Sequence, residues 1–143
     1  MPNHLFVYGT LRSENLHSMA RRLRARAKLL GRGSAPGLLY DLGAYPGAFF
    51  GPKYKQRVRG EVFALPAGDP LLRAIDAYEG CAEDGSATNS GFERLSIIVT
   101  LDTGRQLEAW SYGLQKAPRP ARPIPSGDWI AHLAARKPRA ARR

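Results

Sequence analysis

Two apolar runs separated by a short turn constrain this chain more than any other feature. Phe92 to Leu101 carries Leu95, Ile97, Ile98, Val99 and Leu101, the strongest strand signal in the sequence. Asp102-Thr103-Gly104 follows and reads as a hairpin turn. Leu107 to Leu114 then returns, with Leu107, Ala109, Ser111 and Gly113 alternating against Glu108, Trp110, Tyr112 and Leu114. Alternation at period two puts successive side chains on opposite faces of a sheet. A hairpin of this kind is antiparallel, so the fold is built on at least one antiparallel pair.

The rest of the chain adds strands more often than helices. His4 to Tyr8 reads as a short buried strand ended by Gly9. Thr10, Leu11 and Arg12 make a tight connection, and Ser13 can cap a helix from about Glu14 to Ala27. Leu16, Met19, Ala20 and Leu23 give that helix a narrow apolar face, and arginines fill the other. Leu29 to Leu42 has strand character broken by Gly31, Gly33 and Gly37, which implies bulges or sharp coiling. Tyr45-Pro46-Gly47 reads as a turn and Ala48-Phe49-Phe50 as a short strand. Gln56 to Leu65 alternates and is expected to bury one face. A helix then runs to Glu79. Asp69 is its expected N-cap, Pro70 its first residue and Gly80 its C-terminal stop. Leu71, Leu72, Ile75 and Tyr78 are its expected buried face.

Cys81 to Gly91 is a polar loop of a length often used for lids or binding. Ala117 to Pro125, with four prolines, should be extended and irregular. Ser126-Gly127-Asp128-Trp129 opens a last helix to about Arg136, capped by Ser126 or Asp128. About six strands and three helices, not regularly alternated, give an α+β fold with a mostly antiparallel, coiled sheet able to close. We place one domain at residues 1–135 and a basic, flexible tail at 136–143.

Composition narrows the function classes. With 143 residues and 43% hydrophobic content, one domain with a real core is expected. No apolar run approaches the ~20 residues that cross a bilayer. The start, Met1-Pro2-Asn3-His4, lacks the layout of a signal peptide, so a cytoplasmic location is expected. Cys81 is the only cysteine, which rules out an intrachain disulfide and a thiolate metal cluster. His4, His17 and His132 are scattered, with no ligand spacing between them. The net charge of +10 raises attraction for polyanions. It concentrates in Arg21, Arg22, Arg24, Arg26 and Lys28, and in the tail from Arg136 to Arg143. Nucleic-acid association through these two segments is one expectation, ranked last because no aromatic-interleaved basic strand accompanies it.

Chemistry points first to Glu79. A carboxylate in the last turn of a helix faces the negative end of the macrodipole, and Tyr78 beside it could add desolvation. Both raise a carboxyl pKa towards the range where one group can take and give a proton. A solvated surface Glu is the other reading. The stretch Val7-Tyr8-Gly9-Thr10-Leu11-Arg12 ends a strand on a glycine before a helix. Its amides could converge on an anion, or form an ordinary strand-to-helix turn. The Lys-Ser/Thr spacing of a P-loop is absent. Cys81 has no nucleophile signature around it and reads as a free loop thiol.

These stretches together resemble the gamma-glutamylcyclotransferase-like superfamily. The resemblance is carried, in order, by Tyr8-Gly9-Thr10-Leu11, Gly60-Glu61-Val62-Phe63, Asp76-Ala77-Tyr78-Glu79-Gly80, Phe92-Glu93-Arg94 and Trp110-Ser111-Tyr112. Ser126-Gly127-Asp128-Trp129 is similar to the C-terminal signature of its small bacterial members, those related to gamma-glutamylamine cyclotransferases. The resemblance implies a mixed, barrel-like sheet flanked by helices, with a pocket where the Tyr8–Leu11 turn meets Glu79. It implies a cyclisation of a gamma-glutamyl amine or peptide to 5-oxoproline and a free amine, formally a lyase reaction, with no metal or cofactor. Glu79 would be the general acid/base. Tyr8, Gly9, Thr10, Leu11 and Tyr112 would bind substrate, with Tyr112 or a backbone amide facing the oxyanion. Phe92 stands where the family often has tyrosine. A non-catalytic module of the same fold, binding a small zwitterion or carboxylate, is the alternative.

Overall fold

A computed structural model describes residues 4–9, 18–43, 45–66, 70–79, 81, 91–116 and 122–141. In chain order its elements are β1 (His4–Val7), α1 (Ser18–Arg26), β2 (Lys28–Asp41), β3 (Pro46–Phe50), β4 (Arg57–Ala64), α2 (Leu71–Glu79), β5 (Phe92–Leu101), β6 (Gln106–Leu114) and α3 (Trp129–Ala141). The strands hydrogen-bond in the order β3-β2-β4-β1-β6-β5, and β5 returns to pair with β2. That return closes a five-strand barrel with β3 added to the outside of β2. All pairings are antiparallel except β1 with β6, which is parallel. The α+β class and the barrel-like sheet are as expected, and β5 and β6 form the expected hairpin in unbroken register from Phe92↔Leu114 to Thr100↔Gln106.

Closure depends on β2. Its 14 residues serve three neighbours, β4 along the first part, β3 along the last and β5 at Gly33 and Ser34. A register shift between Leu29 and Gly31 supplies the expected bulge, which bends the strand. At Gly33 a Cβ would lie 2.7 Å from the Thr100 carbonyl oxygen, so only glycine lets β5 come this close.

Two apolar layers form. Inside the barrel, Phe6, Val58, Val62, Val99, Ala109 and Trp129 pack together. Outside it, Leu5, Val7 and Phe63 meet Leu23 of α1 and Leu71 and Ile75 of α2. β4 therefore buries both faces, not the one expected: Val58, Val62 and Phe63 are fully buried, and so is Glu61. The reason is its central position, with the barrel interior on one side and helices on the other. Of Tyr45-Pro46-Gly47, expected as a turn, Tyr45 lies in a bend but Pro46 and Gly47 already belong to β3, because Pro46 pairs with Asp41 as a first-strand proline can. Asp128 caps α3, its Oδ1 accepting from the Ile130 and Ala131 amides at 3.1 and 3.2 Å. The α3 backbone continues past Arg136 to Ala141, in keeping with its alanine content. Among the described residues no helix is long and apolar enough to cross a membrane.

Candidate active site

The site is built where α2 ends against the barrel. Leu71 and Ile75 are fully buried and seat the helix. Tyr78, expected in the buried face, is 36% exposed, whereas Asp76 is 1% exposed. At about 100° per residue the buried arc runs from Leu71 through Ile75 and Glu79 to Asp76, and Tyr78 projects beyond its edge. Glu79 thus lies on the half-buried middle of the face that meets the sheet. Burial pushes its carboxyl from the ordinary 4.5 up to about 7.

Two buried tyrosines border it. The Tyr8 hydroxyl donates to the Tyr112 carbonyl at 2.5 Å and accepts from the Ala48 amide at 3.3 Å. The Tyr112 hydroxyl donates to Asp76 Oδ1 at 2.5 Å. Burial raises both phenols well above the ordinary tyrosine range, and the charge of Glu79 adds to it in each. Glu79, Tyr8 and Tyr112 therefore share one electrostatic neighbourhood. A phenol has a single proton, and both are already donated, so neither hydroxyl has a proton left for an oxyanion. Each still has acceptor capacity.

Arg94 of β5 completes the charge set. Its Nε lies 3.6 Å from Asp76 Oδ1, and its guanidinium lies 4.5 Å from the centre of the Trp110 ring. Cys81 follows α2, its thiol donating to the Phe92 carbonyl at 3.4 Å. Burial, with Asp76 and Glu79 nearby, pushes this thiol up to about 11, so it is protonated and not nucleophilic at neutral pH. Gly9 lies two residues beyond β1 against the start of β3, where an added Cβ would meet Pro46 Cγ at 2.8 Å. Thr10, Leu11 and Gly80 lie outside the described residues, as does the loop from 82 to 90. Among the described residues no cluster of His, Cys, Asp or Glu has the make-up of a metal site.

The structure thus brings Tyr8, Tyr112 and Glu79 together, with Gly9 at the adjoining strand end. Sequence reasoning gave no role to Asp76 or Arg94, although both lie in the motifs that carried the resemblance. Asp76 precedes Glu79 by three positions, a spacing that puts two carboxyls on one helix face and is the signal that could have found it.

The fold and site define a class: a small α+β barrel carrying a raised carboxyl at the end of a flanking helix. Residues 5–131 match the family described as Gamma-glutamyl cyclotransferase, AIG2-like, and the chain belongs to that family. It is 33% identical over 136 residues to the "Putative gamma-glutamylcyclotransferase" of Vibrio cholerae serotype O1, covering 93% of this chain and 100% of that one. Among solved structures, YkqA from Bacillus subtilis superposes with a TM-score of 0.71 at 24% identity, over 96% of this chain. This chain spans only 43% of YkqA's length. An AIG2-like protein from mouse superposes with a TM-score of 0.63 at 23% identity, over 82% of this chain and 80% of that one. These two likenesses bear on the fold.

Proposed function

We propose that this protein cyclises a gamma-glutamyl amine or peptide to 5-oxoproline, releasing a free amine, with Glu79 carrying the protons. The observation that carries the reading is a half-buried carboxyl raised to about 7 beside Tyr8 and Tyr112. Such a group is part ionised and part protonated at neutral pH, as a single residue acting as base and then acid requires.

The α-ammonium of the gamma-glutamyl group gives a proton to the Glu79 carboxylate. The freed amine attacks the side-chain amide carbon, and a C–N bond forms to close a five-membered ring. Glu79 then gives its proton to the departing nitrogen, and the amide C–N bond breaks. The ring nitrogen loses a second proton by the same route, and the released amine takes it up. Two protons leave the attacking nitrogen, two reach the departing one, and Glu79 ends as it began. Because the attack is intramolecular, holding the substrate bent supplies much of the rate. The turn Tyr8-Gly9-Thr10-Leu11 would hold the substrate's α-carboxylate through its amides. Tyr112 would accept from the α-ammonium. The expected location is the cytoplasm.

The test is 5-oxoproline release from gamma-glutamyl amino acids, glutathione and gamma-glutamyl amines, with Glu79→Gln as control. Release by the wild type, lost in the variant, supports the assignment. Equal release by both refutes the role of Glu79. Thermal stabilisation by these compounds with no product favours a binding module instead.

A further inference from the structure

Asp76 is a carboxylate at 1% exposure, three residues before Glu79 on the same helix face. Burying a charge this deeply is costly unless partners offset it. Two partners converge on its Oδ1: the Tyr112 hydroxyl at 2.5 Å and Arg94 Nε at 3.6 Å. Arg94 is in turn held over Trp110. One anion and one cation from different elements thus meet three residues before Glu79, and Trp110 and Tyr112, which hold them, are both on β6.

We propose that Asp76 and Arg94 are positioning residues, a counter-charge pair that orients the Tyr112 phenol and leaves the field at Glu79 close to neutral. The proposal rests on the reading of Glu79 as the acid/base. The charges of Glu79, Asp76 and Arg94 all reach Cys81, just beyond the helix, and Tyr112 of β6, and that of Glu79 also reaches Tyr8 of β1. At both Cys81 and Tyr112 the charge of Asp76 favours the protonated form and that of Arg94 opposes it. At Glu79 burial is the cause of the rise. The orientation has a chemical consequence too. With its proton fixed on Asp76, Tyr112 can only accept, which suits an ammonium and not an oxyanion.

The experiment is titration of the Glu79 side-chain carboxyl by carbon-13 NMR in the wild type, Asp76→Asn, Arg94→Gln and the double variant. Asp76→Asn leaves the Arg94 cation unopposed, so the Glu79 midpoint should fall by about half a pH unit or more. Arg94→Gln removes the cation that faces Asp76, so the midpoint should rise by a similar amount. The double variant should return to within a few tenths of the wild type. A purely structural role would not produce opposite shifts that cancel. Shifts of the same sign in the single variants, or none in either, overturn the proposal. Should Arg94→Gln not fold, Asp76→Asn against the double variant decides the matter: a fall restored in the double supports it, and a fall left unrestored or no fall overturns it. The titration needs no turnover. Opposite shifts in a protein that releases no 5-oxoproline would leave the charge pair standing and remove the cyclotransferase reading. Unmoved midpoints in an active enzyme would do the reverse.

Discussion

Two helices dock on the same barrel by different means. α3 inserts Trp129 into the barrel's apolar layer, and its polar tie is at the rim, where His132 Nε2 lies 2.8 Å from Asp41 Oδ2. α2 seats Leu71 and Ile75 on the outer layer and carries Asp76 fully into it, against Tyr112 and Arg94. Both aspartates tie a helix to the sheet. Asp41 does so at the end of β2, against an imidazole that is 26% exposed. Asp76 does so where a charge is expensive, and three residues on is a carboxyl raised to about 7. On the proposed reading, the contrast separates a helix that closes the fold from a helix that presents chemistry.

The comparison breaks first at Glu79. Glu79→Gln should lower 5-oxoproline release by about 10³-fold or more, as loss of a proton carrier does, with the far-UV circular dichroism spectrum unchanged. Retained activity would make α2 as structural as α3. Next, Trp129→Ala should destabilise by about 3–5 kcal/mol in urea unfolding, while kcat/KM of the folded fraction stays near wild type. A large kinetic defect there would show that α3 also serves the site.

A smaller effect sharpens the case for Glu79 without any assay of turnover. Its folded value is raised, so between pH 4.5 and about 7 the unfolded carboxyl ionises while the folded one keeps its proton. Stability therefore falls as pH rises through that window. Glu79→Gln removes the penalty, and at pH 8 should be more stable than wild type by about 2 kcal/mol, with no gain below pH 4. An equal difference at both pH values would mean Glu79 is not desolvated. Least of all, His132→Ala should cost about 1 kcal/mol and leave kcat unchanged, as a rim contact would.

Much of the fold was legible in local pattern. The β5–β6 hairpin, the bulged β2, the Asp128 cap and the apolar side of α1 follow from alternation, glycine placement and cap chemistry, all properties of near neighbours in the chain. What failed was burial. Gln56 to Leu65 alternates, yet β4 is covered on both sides because its place in the strand order is central. Tyr78 was expected in the buried face and Asp76 was not named in it, because apolarity alone cannot tell which way a helix is rotated when a tyrosine and a paired aspartate compete for the face. Glu79 was visible as an anomaly at a helix end, and its neighbours Tyr8 and Tyr112 only through resemblance.

The sequence by itself determined which segments become strands and helices, and that one carboxylate ends a helix where the dipole disfavours it, since these depend on contacts a few residues apart. The tertiary structure alone decided that this carboxylate faces the barrel beside two tyrosines with their protons committed elsewhere. It also brought a buried aspartate and an arginine 18 positions away in the chain to within 3.6 Å of each other. Desolvation and charge pairing act through space, so they exist only once β1, β5 and β6 have closed around the end of α2.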